Sequence, residues 1–115
     1  MEFDDAHGLV VAIRRLVRDI AEGRLDEVER DGRAGRCTAA DLKCVIAEYG
    51  RTLLPLPDEA FEFVHVHEYE NDPDGCFVDV DLWTSEEGRS DLTLSLEARK
   101  EADGYRVEIS DLHVL

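Results

Sequence analysis

The chain has 115 residues with 28 acidic against 13 basic side chains, a formal net charge of -15. That balance excludes nucleic acid and anionic membrane as partners held through a cationic surface, and it favours basic proteins, cationic small molecules and metal ions. At 43% hydrophobic and 36% charged the chain is globular rather than disordered, one domain by length, with no apolar run long enough to cross a bilayer.

The start, Met1 to Asp5, is acidic and lacks the cationic and apolar pattern of a secretory signal, so a cytoplasmic residence is expected. Leu9, Val10, Ile13, Leu16, Val17 and Ile20 then form one stripe of a 3.6-residue helix. Asp4 or Asp5 is placed to cap its start and Gly23 to end it. Leu25 and Val28 continue as a short helical turn, and Arg30 to Arg36 reads as a loop. Its arginines, Arg30, Arg33 and Arg36, are placed either to grip an anion or to offset nearby acid.

A second main helix starts at Thr38, where Thr38 and Asp41 have capping-box spacing. Leu42, Val45, Ile46 and Tyr49 make its apolar face, and Gly50 closes it. Pro55 and Pro57 forbid continuation, so Leu53, Leu54 and Leu56 read as an extended connector.

The second half reads as a four-stranded meander. Phe61 to Tyr69 is its first strand, Asn71 to Gly75 a tight turn, and Cys76 to Thr84 the second strand. A loop over Ser85 to Ser90 leads to a third strand, Asp91 to Ala98. Asp103-Gly104 makes the last hairpin before Tyr105 to Leu115. Cys76, Val78, Val80 and Leu82 share one face with Leu92, Leu94, Leu96 and Ala98, and with Val107 and Ile109. Leu112 and Val114 break that parity, which a bulge near Ser110-Asp111 would repair. The expected fold is α+β: two main N-terminal helices on one face of a four-stranded antiparallel meander. Residues 1–115 form a single domain, with a helical layer at 5–50, a connector at 51–60 and a sheet layer at 61–115.

The other face of the sheet carries the unusual residues. Phe77, Asp79, Asp81 and Trp83 set two carboxylates between two aromatics, and Phe63, His65, His67 and Tyr69 share that surface if Val64 and Val66 face the core. Thr93, Ser95 and Glu97 follow on the next strand. Aromatic anchors ringed by charge suit a protein-binding face, and the carboxylates would steer a basic partner. The competing readings are an ordinary solvated face and a metal site built on His65-x-His67 and Asp79-x-Asp81. Cys37, Cys44 and Cys76 have no C-x-x-C spacing, and Cys44 and Cys76 read as small buried hydrophobes. Nucleotide-binding, hydrolase and metalloprotease signatures are missing, so no cofactor, metal or catalytic residue is assigned.

Three blocks, Tyr49 to Phe61 (YGRTLLPLPDEAF), Asp81 to Leu94 (DLWTSEEGRSDLTL) and Asp111 to Leu115 (DLHVL), resemble a small bacterial family of unknown function. That resemblance implies no activity, cofactor or catalytic residue. A looser similarity is to nuclear-transport-factor-2-like folds, which enclose a ligand pocket between helices and a curved sheet.

The leading expectation is a non-enzymatic domain that presents its acidic, aromatic face to a basic protein. An immunity protein or antitoxin against a cationic toxin fits it, as does a small accessory domain. The alternative is a small-molecule-binding or enzymatic pocket between helices and sheet, with Tyr49, Trp83, Asp111 and His113 as its residues. The acid is unevenly spread. Residues 1–57 hold eleven acids and nine bases, whereas residues 58–115 hold seventeen acids and four bases.

Overall fold

A computed structural model describes residues 6–115. The expected caps Asp4 and Asp5 lie outside the described residues. Helix α1, Ala6–Ala21, buries Leu9, Ile13, Leu16, Val17 and Ile20 of the expected stripe, while Val10 at its border is only partly buried. Helix α2, Leu25–Arg30, adds Leu25 and Val28 to the same core. Helix α3, Ala39–Tyr49, opens with the expected capping box: Asp41 N–H donates to Thr38 Oγ1 at 3.0 Å and Thr38 N–H to Asp41 Oδ2 at 3.0 Å. It closes at Gly50 in the left-handed conformation. The third cysteine reading needs correction. Cys76 is buried, but Cys44 is exposed, because on α3 it lies off the side that carries Leu42 and faces Glu48 instead.

The sheet has five strands rather than four: β1 Leu53–Leu54, β2 His65–Tyr69, β3 Asp72–Thr84, β4 Gly88–Glu101 and β5 Gly104–Val114. All pairings are antiparallel. The additional strand is the connector itself, which pairs Leu53 and Leu54 with Thr84 and Trp83. Strands β1 and β2 lie along the same edge of β3, at its two ends, and β4 and β5 follow on the other side.

The expected first strand is too long. Residues Asp58–Phe63 form a 3-10 turn, and β2 begins only at His65. Phe61 and Phe63 have strand-like spacing, but guanidiniums take their rings. Arg14 stacks over Phe61 at 4.7 Å and Arg89 over Phe63 at 4.1 Å, while Ala60 enters the core. The first hairpin turns at Glu70 and Asn71, earlier than expected. Pro73, Asp74 and Gly75 instead bulge within β3, between the pairs Tyr69–Asp72 and Glu68–Cys76. Arg99 Nη2 holds Asp72 Oδ2 there at 2.7 Å.

The loop expected over Ser85 to Ser90 shortens to a turn of Ser85, Glu86 and Glu87, with β4 starting at Gly88. The turn's acids point inward to their own chain. Glu86 accepts from Thr52 N–H and Thr52 Oγ1, each at 2.9 Å, and Glu87 accepts from Tyr49 Oη at 2.8 Å. The bulge in β5 falls where the parity break placed it: Ser95 pairs with Asp111 and Leu96 with Ile109, leaving Ser110 unmatched. Leu112 therefore returns to the core, while Val114 lies at the sheet's end and stays 54% exposed.

Apolar residues of all three helices and of the inner sheet face form one cluster. Ile13, Leu16, Val28, Val78, Val80, Leu92, Leu94 and Leu96 are wholly inaccessible to solvent. Every helix thus packs on one side of the sheet, and the other side has no helical layer.

Candidate functional site

Strand register fixes which side chains share the uncovered face. His65 lies opposite Asp79, Asp79 opposite Ser95, and Ser95 opposite Asp111. The neighbouring row runs from Asp81 through Thr93 to His113, and a third joins His67, Phe77 and Glu97. Trp83 faces Arg89 on one side and Leu54 on the other. The structure therefore brings His65, His67, Phe77, Asp79, Asp81 and Trp83 together on one surface, with Asp111 and His113 on the same side.

This placement departs from the pocket reading. Asp111 and His113 fall by register in the rows of the outer face, and Tyr49 sits at the end of α3 with its hydroxyl on Glu87. Burial and the Glu87 carboxylate together push the Tyr49 pKa up. The space between helices and sheet at these positions is filled by the apolar cluster.

The face is acidic, but its acids have company. Asp79 Oδ1 accepts from Ser95 Oγ at 2.7 Å, and Asp79 Oδ2 lies 3.6 Å from His67 Nε2. Asp81 Oδ2 accepts from Arg89 Nε at 2.8 Å, with Thr93 Oγ1 3.4 Å from its other oxygen. His113 Nδ1 lies 3.0 Å from Asp111 Oδ2 but out of hydrogen-bond alignment. Trp83 Nε1 is buried with no acceptor among the described residues. The ring of His67 leans over Phe77, with centroids 6.4 Å apart.

Thr93 and Ser95 are only 3% and 4% exposed although no element covers them. They are small side chains on β4, paired across to β3 and β5. The Ser95, Asp79 and His67 contacts do not build a nucleophile. The hydroxyl donates straight to the carboxylate, and no imidazole is placed to take its proton. Among the described residues no three His, Cys, Asp or Glu side chains converge as a metal-binding group. Sequence pattern put Arg89 in the Ser85 to Ser90 loop rather than on this face. Arg89 reaches the face because Ser90 tucks beneath the strand, donating to Leu82 O at 2.6 Å and accepting from Leu92 N–H at 3.2 Å.

The molecule is thus a two-layer α+β domain with one open sheet face. A family model described as "Domain of unknown function (DUF7668)" matches residues 17–115, and the chain belongs to that family. No curated protein and no solved structure matches the chain, those of nuclear-transport-factor-2-like fold included. No helix among the described residues is long and apolar enough to cross a membrane.

Proposed function

We propose that this is a non-enzymatic protein-binding domain that offers its open sheet face to a basic partner. The observation that carries the reading is the one-sided packing of the fold. All three helices bury their apolar residues against the inner face, and Phe77, His65 and His67 are left beside Asp79 and Asp111 on the outer one. An aromatic at the centre of such a patch supplies contact area, and surrounding carboxylates supply long-range attraction. Neutralisation of a cationic toxin in the cytoplasm, as an immunity protein or antitoxin does, fits this arrangement.

The test compares wild type with Phe77→Ala/His67→Ala as bait against host extract, followed by salt elution and charge analysis of what is retained. The reading expects a basic protein that the wild type holds, that elutes with salt, and that the double variant loses while keeping its melting temperature. Equal retention by both baits would overturn it.

A further inference from the structure

A cleft of about 720 Å³ opens between one side of α1 and the β4–β5 hairpin, away from the sheet face just described. Five of the chain's eleven arginines line it, in a molecule of net charge -15. They arrive from four places: Arg15 and Arg18 from α1, Arg24 from the link to α2, Arg33 from the loop after α2, and Arg106 from β5. Its volume falls within the range of ligand sites, roughly 300–1,000 Å³.

Two of these guanidiniums share the Asp19 carboxylate, and each has further acids: Glu22 and Glu27 at Arg24, and Asp31, which also lines the cleft, at Arg33. Asp19 Oδ1 accepts from Arg24 Nε at 3.0 Å and Nη2 at 2.6 Å, and Asp19 Oδ2 lies 2.8 Å from Arg33 Nη1. Burial opposes the charge on Asp19, but the hydrogen bonds from Arg24 and Arg33 outweigh it and hold its pKa below the usual value. Arg15 and Arg18 are different. They stand one turn apart on an exposed side of α1, and neither has a carboxylate within ion-pair distance among the described residues. Like charges at that spacing oppose helix formation. Their neighbour Arg14, by contrast, is engaged by Asp58 at 2.9 Å and by the Phe61 ring.

We infer that this cleft binds a small organic phosphate, with the phosphoryl group at Arg15 and Arg18, the two lining arginines that have no carboxylate partner among the described residues. Two guanidiniums one helical turn apart, without acids of their own, suit the several oxygens and the double charge of a phosphoryl group better than a single carboxylate, which one fork satisfies. Val11, Ala12 and Val107 give the cleft an apolar wall for the ligand's body. Glu101 and Asp103 close the hairpin end, so the far end of the ligand carries hydroxyl or amine donors. The same carboxylates and the overall charge repel extended polyanions, which sets the ligand as small and freely diffusing rather than a nucleic acid or a lipid surface. This site is independent of the sheet face, and either can fail without the other.

The test is a titration of the whole chain, followed by amide nuclear magnetic resonance, with glycerol phosphate as the probe. Inorganic phosphate, acetate and sodium chloride at matched ionic strength are the controls. Saturable shifts confined to residues 15–19, 24, 33 and 105–107 are expected with glycerol phosphate, more weakly with inorganic phosphate. Arg15→Ala/Arg18→Ala should weaken binding by about tenfold or more, and Arg51→Ala, outside the cleft, should not. Both substituted arginines are exposed, so an unchanged melting temperature confirms that the double variant folds. Shifts matched by chloride or acetate, or unaltered in the double variant, overturn the inference. Binding to vesicles of anionic phospholipid without binding to free glycerol phosphate overturns it as well.

Discussion

The backbone N–H of Ile109 donates to the carbonyl of Arg33 at 2.7 Å, joining the loop after α2 to strand β5. Gly35 makes that approach feasible. It has φ of +60°, and a Cβ there would stand 2.4 Å from the Ile109 carbonyl oxygen. Gly35→Ala should therefore destabilise the fold by about 2 kcal/mol or more through clash and left-handed strain. Urea unfolding measures this. A variant as stable as wild type would mean that the loop does not rest on β5.

Glu86 is held near a pKa of about 2, against an ordinary value of 4.5, chiefly by the Thr52 backbone N–H. A carboxylate depressed in the folded state stabilises above its unfolded pKa, and that stabilisation fades as pH falls through the folded value. Wild type should thus lose stability between about pH 4.5 and pH 2, and Glu86→Gln should flatten that part of the curve. Melting temperatures of the two proteins across this window decide the point, since parallel curves would assign the acid sensitivity elsewhere.

Asp81 and Asp72 each face one arginine, but Asp81 is 13% exposed and Asp72 is 37% exposed. Arg89→Ala strands a half-buried carboxylate and strips the Phe63 ring of its cation, so it should cost about 1–2 kcal/mol. Arg99→Ala leaves Asp72 in water and should cost less than Arg89→Ala. Chemical denaturation of both variants reads the difference, and the reverse order would refute the burial argument.

Leu94 is wholly inaccessible, whereas Val114 is 54% exposed at the end of the same sheet face. Leu94→Ala should cost about 3 kcal/mol and Val114→Ala less than about 0.5 kcal/mol. Comparable losses at the two positions, read by calorimetry, would show that Val114 is not left at a solvent-exposed end of the sheet.

The helices and the inner sheet face were legible in the sequence because each rests on a local period. The stripe from Leu9 to Ile20 and the alternation from Cys76 to Leu82 need no knowledge of distant residues. The bulge was legible for the same reason, since Leu112 breaks a count of two. Residues 58–63 misled because Phe61 and Phe63 alternate like a strand, while the partners that decide the matter, Arg14 and Arg89, are far away in the chain. The open face was readable as a set of residues but not as a set of pairs. That Asp79 binds Ser95, and Asp81 binds Arg89, depends on strand register. Of the arginine cleft only Arg33 was legible, in a loop placed to grip an anion or to offset acid. Arg15, Arg24, Arg33 and Arg106 have no shared spacing and meet only after folding.

The sharing of one β3 edge by β1 and β2 bears on self-assembly. Between the last residue paired with β2, Asp79, and the first paired with β1, Trp83, that edge is interrupted, and the 3-10 turn lies beside β3. The outermost strands on this side are two and five residues long, too short and too broken to template another chain. The opposite border is β5, kinked at Ser110 and occupied at Ile109 by the loop carbonyl. One flank is thus short and the other broken, so a concentrated solution of this protein should resist edge-to-edge fibre growth.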